Sequence, residues 1–145
     1  MRYLAIDYGS KRTGLAICDV AETIASPLNV ILGQKELLKK IAAVVHKEGV
    51  EAIVVGLPLN MDDSESAQTR LVHKFVERLR QYIGIPVYLQ DERLTSFSAE
   101  EKLASAKLKK AQMLKRSDAV AAAEILEAFL EQKHNTGEAG KDVRR

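Results

Sequence analysis

Three acidic residues stand where a chain can present side chains to one end of a sheet. Asp7 closes the apolar run Tyr3-Leu4-Ala5-Ile6, Asp91-Glu92-Arg93 closes Val87-Tyr88-Leu89, and Asp118 opens a long helical stretch. The positions i+4, i+7 and i+11 from Asp118 are Ala122, Ile125 and Phe129, so Asp118 heads an inward-facing apolar stripe. Carboxylates gathered from distant segments suit divalent-metal binding, because Mg²⁺ takes oxygen ligands in octahedral geometry and keeps several waters. Two such ions about 3.5–4 Å apart can activate a water and stabilise the leaving oxygen of a phosphodiester.

Each acid also has a structural role open to it. An aspartate after a strand fastens turns through its own side chain, and one at a helix N-terminus gains about 0.3–1 kcal/mol from the helix dipole. Asp91 and Glu92 alternate across a strand and point to opposite faces, so one of them joins the cluster, and spacing does not choose between them. Asp19 lies about five residues up the return strand, about 17 Å from Asp7 at about 3.3 Å per residue, and is excluded from the cluster. Competing chemistries find little support. His46, His73 and His134 have no metal-ligand spacing, Cys18 reads as a packed core thiol, and no P-loop, Gly-x-Gly-x-x-Gly or Gly-x-Ser-x-Gly sequence is present.

The elements that must position these acids follow from the pattern. Tyr3–Ile6 and Thr13–Cys18 read as a β-hairpin across a Gly-bearing turn, with a third strand near Leu28–Leu32 entered through Pro27. Leu37, Leu38, Ile41, Ala42, Val44 and Val45 predict a helix capped by Gly49. Ala52–Val55 reads as a buried strand ended by Gly56-Leu57-Pro58, and a second helix carries Leu71, Val72, Phe75, Val76, Leu79 and Ile83 on one face. Val87–Leu89 is the last strand. Ser96 and Ser117 are candidate N-caps, for a helix through Ala104 and for one from Asp118 to about Gln132. The expectation is a mixed five-stranded α/β sheet, an antiparallel hairpin plus parallel strands flanked by helices, with Ala52–Val55 parallel to the first strand. Ligands of such sheets gather at the carboxyl ends of the strands.

With 145 residues the chain has room for one domain, read as 1–133 with a frayed tail over 134–145. Hydrophobic residues at 46% and charged residues at 29% are ordinary globular composition and exclude a disordered or collagen-like chain. No apolar run is long enough to span a membrane, and residues 1–7 reach an acid before any signal-peptide core could form, which predicts a cytoplasmic protein without a membrane partner. A single cysteine excludes an internal disulfide. Net charge is only +2, yet Lys102, Lys107, Lys109, Lys110, Lys115 and Arg116 form a block with no acid among them. Such a block is either a solvated helix face or a surface for a phosphate-bearing ligand.

The run Ile6-Asp7-Tyr8-Gly9-Ser10-Lys11-Arg12-Thr13-Gly14-Leu15-Ala16, through Asp19, resembles the opening of the YqgF family of Holliday junction resolvases. Val54-Val55-Gly56-Leu57-Pro58-Leu59-Asn60, Asp91-Glu92-Arg93-Leu94-Thr95-Ser96 and Ser117-Asp118-Ala119-Val120-Ala121-Ala122 match it in the same order. The resemblance implies a ribonuclease H-like fold and cleavage of structured RNA or branched DNA, dependent on Mg²⁺ or Mn²⁺, with two ions. It also links the chain to trimming the precursor of 16S ribosomal RNA, ranked here above junction resolution. Carried over residue by residue, Asp7, Glu92 and Asp118 become the catalytic and metal-binding acids, which selects Glu92 over Asp91 by analogy. Lys11, Arg12, Arg93, Lys115 and Arg116 become the nucleic-acid contacts, positioning the backbone without reading sequence. Asp63 stands where the family usually has Gly. Better-known junction resolvases take an acid from the strand beside the first, whereas here that strand ends in Gly56-Leu57-Pro58 and the second acid comes from one strand further along.

Two other classes compete. A non-catalytic nucleic-acid-binding module linked to transcription would use the same cations, but gains nothing from carboxylates beside phosphates. For a phosphotransferase or ATPase, Asp7-Tyr8-Gly9 on a hairpin also resembles the phosphate loop of the actin and sugar-kinase fold, whose members need two such domains around the nucleotide. Paired nicking of a junction calls for two active sites and hence a homodimer; RNA trimming does not.

Overall fold

The computed structural model describes residues 1–62, 64–92 and 110–136, with side chains in the last segment described for 118–135. Five strands, β1 (Tyr3–Asp7), β2 (Arg12–Cys18), β3 (Ala25–Leu32), β4 (Ala52–Leu57) and β5 (Val87–Asp91), form one sheet in the order β3-β2-β1-β4-β5. β1 and β2 pair antiparallel, as do β2 and β3, while β4 runs parallel to both β1 and β5. This is the mixed sheet expected, and it brings the carboxyl ends of β1, β4 and β5 to one edge.

Among the described residues three helices cover the sheet: α1 (Leu37–Glu48), α2 (Ala67–Tyr82) and α3 (Lys110–Thr136). Alternation along the strands sends large residues to one face, where Leu4, Ile6, Leu15, Ile53 and Val55 pack with Leu37 and Ile41 of α1 and Val72, Phe75 and Leu79 of α2. The opposite face carries Tyr3, Ala5, Ala16, Cys18, Ala52 and Val54 against Ala122, Ile125, Leu126 and Phe129 of α3. Ala5, Ala16 and Ala52 of the sheet and Ala122 of α3 let the helix lie close to the sheet there.

Gly49 caps α1 at φ 66°, as its sequence position predicts, and its N–H reaches the last carbonyls of the helix. Ser66 caps α2 in a reciprocal box: Thr69 N–H donates to Ser66 Oγ at 3.2 Å and Ser66 N–H donates to Thr69 Oγ1 at 3.0 Å.

Several expectations need correction. β3 starts at Ala25 rather than near Leu28. It holds Pro27 inside the strand, which an edge strand tolerates where its register shifts opposite Leu15/Ala16. β4 continues through Gly56 and Leu57, which pair with Gln90 and Asp91, instead of ending at Val55. Leu71 is exposed rather than buried, lying off the stripe formed by Val72, Phe75, Val76 and Leu79. Helix α3 is already helical at Lys110, so Ser117 is not an N-cap, and it is still helical at Thr136, past the expected end near Gln132. Nothing in Lys110–Ser117 breaks a helix. The helix placed over Ser96–Ala104 lies outside the described residues, as do Asp63 and 137–145.

Candidate active site

Asp7 is the last residue of β1 and lies on the α3 side of the sheet, two residues on from Ala5. Glu92 follows β5, and the same alternation decides between it and its neighbour. Tyr88 packs on the α3 side against Phe129 while Val87 and Leu89 pack on the other, so Glu92 shares the face of Asp7 and Asp91 does not. One strand still separates the two acids, because β4 lies between β1 and β5. Gly56 closes that gap. It follows Val55, the partner of Ile6, and a Cβ built on it would fall 2.6 Å from Glu92 Oε1 and 2.5 Å from Ile125 Cδ1. The missing side chain is the passage through which Glu92 crosses β4 and hydrogen bonds with Asp7.

Asp118 arrives by a second glycine. Gly14 of β2 pairs directly with Asp7, and a Cβ there would lie 2.0 Å from the Asp118 carbonyl oxygen. Backbone therefore rests on backbone, and the carboxylate of α3 sits within electrostatic range of Asp7. Because Asp118 stands more than two turns inside α3, the helix dipole does not account for it. Ala122, Ile125 and Phe129 below it are fully buried, as the spacing predicts.

Burial raises the Asp7 carboxyl, to about 9, reinforced by the charge of Glu92, by their shared hydrogen bond and by the charge of Asp118. Glu92 is also raised, first by burial and then by Asp91, with its bond to Asp7 acting in the opposite direction. Two carboxylates in one largely buried space thus share a proton. Asp118 is tied elsewhere, accepting from Arg12 Nε at 2.8 Å. In this arrangement no three His, Cys, Asp or Glu side chains among the described residues form a ready metal-binding group. The donor set is nonetheless all hard oxygen, and Asp7 with Glu92 is a like-charged pair that a cation would neutralise in place of the proton.

Of the cations, Lys11 is exposed in the β1–β2 turn and Arg12 opens β2 against Asp118. Arg93 lies outside the described residues; Lys115 and Arg116 fall on the first turns of α3, where only backbone is described. Asp19 sits at the far end of β2, as expected, where Oδ1 accepts from the backbone N–H of Thr23 at 2.7 Å and of Ile24 at 2.9 Å. Cys18 is buried and accepts from Tyr3 N–H at 3.3 Å, a core thiol.

A family model described as "Holliday junction resolvase", RuvX, matches residues 1–132. This chain belongs to the RuvX family. It is the family whose motifs the sequence resembles under the name YqgF. Among RuvX relatives, a protein of Rickettsia typhi named "Putative pre-16S rRNA nuclease" is 44% identical over 129 residues, covering 88% of this chain and 83% of its own. One of the same name from Lawsonia intracellularis is 39% identical over 137 residues, with 93% and 96% covered. Among solved structures, Thermus thermophilus RuvC in complex with a Holliday junction substrate superposes with a TM-score of 0.61 at 15% identity, covering 97% of this chain and 99% of that one. The fowlpox virus resolvase bound to junction DNA gives 0.56 at 11% identity, with 91% and 98% covered. At such identities these two establish the ribonuclease H-like fold of the resolvases and nothing finer.

Proposed function

We propose that this RuvX chain is a metal-dependent nuclease that hydrolyses phosphodiester bonds in structured RNA, with the 16S ribosomal RNA precursor as its substrate and junction DNA as the runner-up. The observation that carries this reading is the meeting of Asp7 and Glu92 across Gly56, with Asp118 beside them, at the carboxyl edge of the parallel strands. A buried acidic pair serves no purpose for a protein that only holds phosphates. It serves a hydrolase that must place cations against a phosphodiester.

Asp7, Glu92 and Asp118 would hold Mg²⁺ or Mn²⁺, two ions in all. When bound, such ions supply a water acidic enough to attack phosphorus and a Lewis acid at the leaving oxygen. The chain's own residues do the rest. Asp7 and Glu92 would hold the ions as ionised oxygen donors, their shared proton passing to solvent, and Asp118 would join them in place of its bond to Arg12. Arg12, released, and Lys11 in the adjacent turn contact phosphate oxygens, with Arg93, Lys115 and Arg116 extending that contact. The pre-16S assignment rests on the names of relatives near 40% identity.

Cleavage of a precursor 16S RNA fragment and of a four-way DNA junction, side by side, tests this reading. We expect cutting in Mg²⁺ or Mn²⁺, none in EDTA, and a loss of at least a hundredfold in Asp7→Asn with the fold retained. RNA cut in preference to DNA supports the precursor as substrate. Full activity in Asp7→Asn, or in EDTA, would sink the proposal.

A further inference from the structure

The face of the sheet away from α3 carries a charged surface that the acids do not use. Along α2, Arg70, Lys74 and Arg78 are each separated by four residues, about 6 Å of helix, and Tyr82 follows at the same interval, 53% exposed. All three cations are exposed, and none pairs with a carboxylate among the described residues; Glu65 lies 3.8 Å from His73 instead. Across from Arg78 and Tyr82, Gln34, Leu38 and Lys39 border an open groove of about 280 Å³ floored by Phe75. Two acids, Glu36 in the groove wall and Glu77 on α2, leave the surface net positive.

Gln34, which lines this groove, and Gln68 of α2 both reach the β1–β2 turn that follows Asp7. Gln68, in the first turn of α2, donates to the carbonyl of Tyr8 at 3.1 Å, one residue from Asp7. Gln34 donates to the carbonyls of Gly9 and Ser10 at 2.9 and 3.0 Å and accepts from the Tyr8 hydroxyl, while the Tyr8 ring stacks on Phe75 at 4.2 Å. The turn that presents Lys11 is thus fastened to both walls of the groove. A row of cations at regular spacing that ends on an accessible aromatic ring is the combination that holds an unpaired strand, with phosphates on the cations and a base on the ring. A duplex gains little from the ring, since its bases are already stacked.

We propose that the α1/α2 groove, together with the exposed row of α2 that leads to it, binds a single-stranded segment of the nucleic-acid substrate as it leaves the active edge, with phosphates on Arg70, Lys74 and Arg78 and a base on Tyr82. The proposal rests on the nuclease reading for the identity of its ligand, and the test separates the two.

Fluorescence anisotropy in EDTA would compare a blunt RNA hairpin with the same hairpin carrying a single-stranded extension at either end. Wild type should bind an extended form more tightly. In R70Q/K74Q/R78Q that gain should vanish, and the slope of log K against log salt for the extended RNA should fall by about 2. Tyr82→Ser should weaken the extended form by about tenfold and leave the blunt form unchanged. Cleavage of the blunt hairpin in Mg²⁺ should be the same in all variants, and unchanged melting curves would show that they fold. An extension that adds nothing in wild type, or a triple variant that keeps both gain and slope, would overturn the proposal. So would a polyglutamate peptide that displaces the extended RNA as well as unlabelled RNA does, since that would make the groove a site for acidic protein segments. If wild type cleaves no RNA or DNA yet the groove variants lose the extension, the nuclease reading fails and the groove stands.

Discussion

Asp7 and Glu92 share a proton because neither carboxylate ionises easily in a largely buried space that Asp118 also charges. For such a group the folded state holds its proton to higher pH than the unfolded chain does, so stability falls as pH rises from about 4 towards the Asp7 value of about 9. Asp7→Asn removes that ionisation. It should therefore raise stability at neutral pH by about 0.5–2 kcal/mol and flatten its dependence over that window, as denaturant melts at several pH values would show. A variant less stable than wild type at pH 8 would contradict this account of the pair. Gly56 sets the second residue-scale prediction. In Gly56→Ala the new methyl meets Glu92 and the tip of Ile125, both side chains that can turn aside. Stability should drop by about 1 kcal/mol, while kcat falls at least tenfold because Glu92 is pushed off Asp7. Equal loss in Gly56→Ala and an Ile125→Val control would mean that packing, not Glu92, is responsible. Asp7 and Asp118 were legible because each ends or heads a strongly patterned run. Glu92 was legible only by resemblance, and the role of Gly56 not at all, since a glycine is silent in a hydrophobic pattern and its use here depends on which strands are neighbours.

At the scale of elements, the site exists because α3 lies close enough to the sheet for its backbone to touch β2. Gly14→Ala would place a methyl against the Asp118 carbonyl itself, and no rotamer relieves that. The helix must move as a body, so we expect a loss of about 1–3 kcal/mol in urea unfolding and a fall in activity larger than for Gly56→Ala. A Gly14→Ala variant with wild-type stability would contradict the close docking. The far end of α3 is fastened independently: Glu22 accepts from Lys133 Nζ at 2.7 Å and from the N-terminal amine at 3.1 Å. The strands and the first two helices were readable from period and punctuation, to within a few residues at most ends. The turns of α3 before Asp118 were not, because Ser117 imitates an N-cap and Lys110–Arg116 is polar enough to pass for a linker, while its composition allows an uninterrupted helix.

Across the whole molecule, the two faces of the sheet differ in what they carry. The α3 side brings the acids together at the edge of an alanine-rich layer, and the α1/α2 side carries the large-residue core beneath the exposed cations of α2. The parallel pairing of β1, β4 and β5 follows from the order of elements and was expected from it. The passage of one acid across the middle strand was not, since it arises only when sheet order and strand alternation are combined. Everything in the account turns on Asp7, Glu92 and Asp118 forming one cation site. Titration of the protein with Mn²⁺, followed by electron paramagnetic resonance on wild type, Asp7→Asn, Glu92→Gln and Asp118→Asn, tests this most directly. Wild type should take up Mn²⁺, and each variant should lose at least tenfold in affinity. Uptake that is absent in wild type, or undiminished in all three variants, would contradict it.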